Sequence, residues 1–138
     1  MEALKNRHPD FPLEEVKKLY TENKGYFENP DYPFDDFIKN LDDHLWAFVD
    51  GKKLIGYIFM HSADGDSCHL SGNAIRKCPD LIQEAIGGTC GFYFETYPQL
   101  QKIYAETEHK WAWFALKRAG FKYIGKDKFI IERNITNG

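Results

Sequence analysis

The 138-residue chain is 43% hydrophobic and 16% aromatic, enough material for one core, and its length is that of one domain, so one site is expected. A net charge of -3 gives no overall attraction to phosphate backbones or anionic bilayers, which argues against nucleic acid and membrane surfaces as main partners. Cys68, Cys78 and Cys90 are odd in number and lack CxxC spacing, the start is polar, and no apolar run approaches the roughly 18 residues of a membrane span; reduced thiols in the cytoplasm, without a zinc site, are expected.

In chain order, Asp10-Phe11-Pro12 precedes Leu13, Val16, Leu19 and Tyr20, a capping side chain, an early proline and apolar residues at helical spacing. A turn-rich stretch over 23–32 leads to Pro33 and a second helix with Phe34, Phe37, Ile38 and Leu41 on one face. Strands follow over 45–49 and 53–60 about the turn Asp50-Gly51-Lys52, where Asp-Gly supplies positive φ. The run from His61 to His69 gathers metal-capable side chains, but the spacing of a calcium loop is absent, so Ala63-Asp64-Gly65-Asp66 reads as a β-turn. It opens a third strand over Cys68–Ile75.

The next helix runs from Pro79 to about Tyr97, and its Gly87, Gly88 and Gly91 suggest close packing. A strand over Lys102–Thr107 and a helix from His109 to Ala119 follow, the helix closed by Gly120 as a left-handed cap. Strands 121–124 and 128–132 form a last hairpin, and 134–138 read as a frayed end of a single domain spanning 1–138. A strand, helix, strand step over 68–107 requires a right-handed crossover and a parallel pair if both strands share one sheet. The fold class is therefore α/β in the α+β sense: a mixed, mainly antiparallel sheet flanked by helices, with a central parallel strand pair.

Charge is uneven along the chain. Residues 1–50 hold six basic against twelve acidic groups, and residues 110–138 hold seven against two. That asymmetry suits a cationic substrate meeting an anionic cofactor, and equally two solvated faces. The aromatic residues Phe92, Tyr93, Phe94, Tyr97, Trp111, Trp113 and Phe114 fall at helical spacing and read as core or as a dimer surface, so a homodimer is compatible with the sequence.

The segment Ala112-Trp113-Phe114-Ala115-Leu116-Lys117-Arg118-Ala119-Gly120-Phe121-Lys122-Tyr123-Ile124-Gly125 resembles the helix-to-strand signature of GNAT-type N-acetyltransferases, and Gln101-Lys102-Ile103-Tyr104-Ala105-Glu106 resembles the strand before it. The element order extends the likeness to about residue 10. The resemblance implies acetyl-CoA as cosubstrate, lodged where the two central parallel strands splay apart. It assigns the pantetheine arm to Asn73, Ala74 and Ile75, and the pyrophosphate end to Arg76 and Lys77 with Leu81 in the helix that follows; His109, standing where an asparagine is frequent near the start of the later helix, joins the cofactor-binding residues. Helix N-termini suit phosphate because their amide N–H groups lack partners and carry the positive end of the dipole.

Two positions depart from the family pattern. Arg76-Lys77-Cys78-Pro79-Asp80-Leu81 stands where a glycine-rich phosphate loop is usual, and Leu116 stands where a tyrosine acid is frequent. Catalysis then falls to Glu106, His109 and Tyr104, the last as replacement acid, with Glu108 and His69 as further bases. Two functions stay open: an acetyl-CoA-dependent N-acyltransferase acting on a primary amine of a protein or small molecule, and a catalytically silent GNAT-fold binding or assembly protein, a kind familiar among phage-encoded proteins. The first family strand is expected to be short or missing before Asp10.

Overall fold

The computed structural model describes residues 1–22, 32–75 and 79–133. Its elements are β1 (Glu2–Lys5), α1 (Leu13–Glu22), α2 (Phe34–Leu41), a 3₁₀ turn at Asp42–His44, β2 (Leu45–Asp50), β3 (Lys53–Asp64), β4 (Ser67–Ala74), α3 (Pro79–Thr96), β5 (Lys102–Glu106), α4 (Lys110–Arg118), β6 (Lys122–Gly125) and β7 (Lys128–Glu132). The strands form one seven-stranded sheet in the order β1-β2-β3-β4-β5-β7-β6. The β4–β5 pair is parallel, while β1–β2, β2–β3, β5–β7 and β6–β7 are antiparallel. The mixed, mainly antiparallel architecture with one parallel pair is the one expected.

The chain divides into two compact units, residues 1–60 with 72–78 and residues 61–71 with 79–138, so that β3 and β4 each run through both. In the first unit Val16 and Tyr20 of α1 and Phe37 of α2 bury against Leu45, Ala47, Tyr57 and Phe59. The rings interlock: Phe37 lies 4.5 Å from Tyr20 and 5.0 Å from Phe59, centroid to centroid. Each such side chain contributes about 1.5–3 kcal/mol through burial, which makes this face the main stabiliser of the unit. The Tyr20 hydroxyl donates to the Tyr32 carbonyl at 2.6 Å, and the Asn73 amide donates to the Tyr57 hydroxyl at 2.8 Å, so these buried polar groups are satisfied.

One expectation is met in its first alternative and one is corrected here. The first strand is present and short, four residues: β1 pairs with β2 from Glu2↔Val49 to Lys5↔Trp46, and buried Asn6 continues the join by donating its N–H to Leu45 and its side-chain amide to the Asp42 carbonyl at 3.1 Å. Only Leu4 of its four residues is buried, so pairing rather than local propensity makes it a strand. Helix α1 starts at Leu13, after Pro12, so Asp10 is not its cap; the Asp10 N–H is held instead by His8 Nδ1 at 3.0 Å.

In the second unit α4 ends as the sequence predicts. Gly120 has φ +107, its N–H donates to the Lys117 carbonyl, and the Phe121 N–H donates to the Leu116 carbonyl, the two bonds of a Schellman cap. Leu116 and Phe121, which this motif brings into contact, are both buried. The β6–β7 hairpin turns on Lys126 and Asp127, with φ 54 and 62, values that a two-residue I′ turn requires.

The glycines of α3 are not sites of close packing. A β-carbon built on Gly87, Gly88 or Gly91 meets no atom within 4 Å, which corrects that expectation. Glycine weakens the helix without a compensating contact, so Gly88→Ala and Gly91→Ala, both at exposed positions, should each raise stability by about 0.5–1 kcal/mol. Thermal melts of the single variants check this: a lowered midpoint would reveal a packing role the helix does not display.

Candidate functional site

Strands β4 and β5 alternate in the second unit. Cys68 and Leu70 of β4 and Ile103 and Ala105 of β5 are buried on one face, while His69, Ser71 and Tyr104 are half-buried and Glu106 is exposed on the other. The alternation sorts apolar from polar side chains, and the polar face is the one with chemistry on it. Parallel pairing aligns His69 with Tyr104, and their rings stand 5.5 Å apart. The His61 ring of β3 lies 5.6 Å from that of His69, so three strands each contribute one ring to a continuous row.

His61 is held at both nitrogens, Nε2 at 2.7 Å from Ser71 Oγ and Nδ1 at 2.8 Å from Ser62 Oγ. The first of these spans the β3–β4 hairpin and was not foreseen from the sequence. The only signal available was the concentration of His and Ser between 61 and 71. The turn expected at Ala63–Asp66 is found at its tip, where Gly65 has φ +62 and Ser67 Oγ donates to the Asp64 carbonyl.

The parallel ladder is short. It comprises Ser67↔Lys102, Cys68↔Ile103 and His69↔Tyr104, and ends there although β5 continues to Glu106 and β4 to Ala74. The Ile75 N–H donates to the Ile55 carbonyl at 2.8 Å. Because successive strand residues turn their main-chain groups to opposite edges, Ala74 presents its N–H and C=O to the edge away from β3.

The residues singled out from the sequence fall in both units. Tyr104 and Glu106 share one face of β5, and His69 stacks on Tyr104. His109 immediately precedes α4 without capping it through its side chain; its N–H donates to Thr107 Oγ1 at 3.1 Å. That loop is fixed from both sides, the Thr107 N–H donating to the Asp127 carbonyl at 2.9 Å and Trp113 Nε1 donating to the Thr107 carbonyl at 2.7 Å. Trp113 packs on Tyr123 and Phe129, and Lys110 Nζ sits 3.6 Å from its ring centre. Glu108 is exposed in the same loop.

In the first unit the buried Asn73 side chain is engaged with Tyr57, and its carbonyl lies on the β3 side, against Gly56. Arg76 and Lys77 lie outside the described residues. Leu81 is half-buried in the first turn of α3, where Pro79 has no N–H and Asp80 adds an acid. Arg118 Nη2 stands 3.5 Å from the Asp80 carboxylate, so the acid at this helix start is met by a cation, which lessens its conflict with a phosphate. Leu116 is buried with its carbonyl engaged by Phe121 and supplies no proton.

Burial pushes the Cys90 thiol up to about 12 and the Cys68 thiol up to about 11, so both stay protonated at neutral pH and are poor nucleophiles. Among the described residues no helix is long and apolar enough to cross a membrane.

No family model matches the sequence, and no curated protein matches it. Solved structures do resemble it. A GNAT-family acetyltransferase from Bacillus anthracis matches with a TM-score of 0.71 at 15% identity, over 96% of this chain and 95% of that one. Spermidine N-acetyltransferase from Vibrio cholerae, solved with CoA and spermine, matches with a TM-score of 0.70 at 19% identity, over 95% and 94%. The Campylobacter jejuni N-acetyltransferase solved with acetyl coenzyme A gives 0.60 at 14%, over 96% and 98%. At these identities the likeness speaks for the fold, and the fold is that of the GNAT-type N-acetyltransferases.

Proposed function

We propose that this chain, which carries the GNAT fold, is an acetyl-CoA-dependent N-acyltransferase acting on a primary amine of a protein or small molecule. The observation that carries the reading is the parallel ladder that stops at His69↔Tyr104 while both strands continue, since it leaves main-chain groups of β4 for an amide-bearing ligand arm. Acetyl-CoA supplies the activated acyl group as a thioester.

The chain's own residues bind the cofactor, receive the amine and move protons. On the first unit Ala74 offers its main-chain N–H and C=O to the pantetheine amides, with Asn73 and Ile75, whose main chains turn to β3, on either side of it, and Arg76 and Lys77 supply cations for the phosphates. Within the second unit Leu81 and His109 are the further residues that the family resemblance assigns to the cofactor. An attacking amine must be neutral, and His69 or Glu106 takes its proton. His69 is the better placed of the two, half-buried against Tyr104, while exposed Glu106 attracts the amine in its cationic form. The Tyr104 phenol returns a proton to the departing thiolate in place of the missing tyrosine at 116.

Purified protein incubated with acetyl-CoA and a panel of primary amines should release CoA thiol. Polyamines are the first to try, given the likeness to spermidine N-acetyltransferase. His69→Ala and Tyr104→Phe should each lower kcat by about 100-fold. Turnover unchanged in both variants would remove these assignments. A second reading, a GNAT-fold binding protein without catalysis, is favoured by Pro79 and Asp80 at the start of α3 and by buried Leu116. It predicts no thiol release with any amine.

A further inference from the structure

The transfer chemistry above uses His69 and Tyr104 and leaves the pair beside them without a task. Ser71 Oγ lies 2.7 Å from His61 Nε2, and Ser62 Oγ lies 2.8 Å from His61 Nδ1. A neutral imidazole has one donor nitrogen and one acceptor. With Nδ1–H donating to Ser62, Nε2 accepts from the Ser71 hydroxyl. A nucleophile, a base within hydrogen-bond reach and a third group orienting the base form the arrangement by which a serine is activated.

Ser62 holds φ +54 although it lies within β3, a backbone region a serine seldom takes in a strand. In that conformation its hydroxyl bonds the ring of the residue before it. Ser71 and His61 are half-buried and Ser62 is exposed, so the dyad is sheltered yet reachable from solvent.

We propose that Ser71 is an acyl-accepting nucleophile, with His61 as its base and Ser62 as the orienting residue, and that its ligands are small activated esters and thioesters. Ser71 Oγ bonds to the acyl carbon as its proton moves to His61 Nε2. The bond from that carbon to the leaving oxygen or sulfur then breaks, and the leaving group departs with its electron pair, taking the proton from His61 where it is basic enough. Where the leaving group is too weak a base to take it, His61 sheds that proton to solvent. In the second half water bonds to the acyl carbon as it gives a proton to His61, the bond from that carbon to Ser71 Oγ breaks, Oγ takes the proton from His61, and the carboxylic acid leaves. This activity needs neither amine nor coenzyme A, so it is separable from N-acyl transfer.

The test treats the full chain with p-nitrophenyl acetate, follows the nitrophenolate burst and maps acetyl adducts by peptide mass spectrometry. The adduct is expected on the peptide carrying Ser71, absent in Ser71→Ala, and formed about 100-fold more slowly in His61→Gln. Ser67→Ala, whose hydroxyl bonds the Asp64 carbonyl rather than an imidazole, should keep it. Adducts confined to lysines, or an undiminished burst in Ser71→Ala, would overturn the proposal. Circular dichroism verifies folding of each variant. Should Ser71→Ala not fold, folded Ser71→Cys must carry the acetyl group on Sγ, and its failure to do so overturns the proposal equally.

Discussion

Gly72→Ala should lower the free energy of unfolding by about 3 kcal/mol, at the upper end of what overpacking usually costs. A β-carbon at Gly72 would lie 2.2 Å from the Tyr57 carbonyl oxygen and 3.1 Å from the Ile58 Cα. Both neighbours are main chain in β3, so no side chain can swing aside and the strand itself must move. Gly56 answers it from the other side: its β-carbon would lie 2.5 Å from the Asn73 carbonyl oxygen and 2.9 Å from the Ala74 Cα. Gly56→Ala should therefore destabilise comparably, and the double variant should lose less than the sum, because a single shift of the two strands relieves both clashes. Urea denaturation of the three variants measures this, with Gly88→Ala as the contrasting substitution of opposite sign. A change at Gly72 below about 0.5 kcal/mol, the range of unremarkable substitutions, would mean that β3 and β4 do not approach so closely.

Arg133→Met should cost about 3 kcal/mol. Arg133 Nε donates to the Leu100 carbonyl at 2.8 Å, and Nη2 donates to the carbonyls of Phe94 at 2.7 Å and Tyr97 at 2.8 Å. Its guanidinium also lies 5.2 Å from the Phe94 ring centre. Phe94 belongs to the last turn of α3, where carbonyls lack helical partners and the dipole is negative, so one fork of donors satisfies the helix end and the loop after it. Bonds from a charged donor contribute about 1.5–3 kcal/mol, and removing the donor leaves several carbonyls without it at once. Arg133→Lys should recover less than half of the loss, since an ammonium on a flexible stem cannot hold the planar fork. Equal stability of Arg133→Met and the parent would show that the contacts hold nothing in place.

What the sequence disclosed follows from how local each signal is. Gly120-Phe121 announced a Schellman cap because that motif needs only a few successive residues. Asp50-Gly51 announced its hairpin for the same reason. Strand β1, expected as short or missing, could be given no bounds because one buried leucine among four residues makes no pattern until β2 is alongside. Gly56 and Gly72 read in one dimension like Gly87, Gly88 and Gly91, yet the first two face main chain and the others open space; only pairing partners separate them. Arg133 reaches carbonyls more than thirty residues upstream, beyond any periodicity. At the site, His69 and Tyr104 were candidates through the gap between parallel strands that the family resemblance implies. The Ser71–His61 bond was not legible, because it joins side chains ten residues apart on neighbouring strands, which no local periodicity pairs.

The most direct test of the central claim, that the broken β4–β5 ladder serves an acyl-CoA, is thermal unfolding with and without acetyl-CoA. At a hundredfold excess over its dissociation constant the cofactor should stabilise the protein by about 2.7 kcal/mol, raising the midpoint by about 9 °C. A midpoint that does not move at millimolar acetyl-CoA would contradict the claim and leave the fold without its expected cosubstrate.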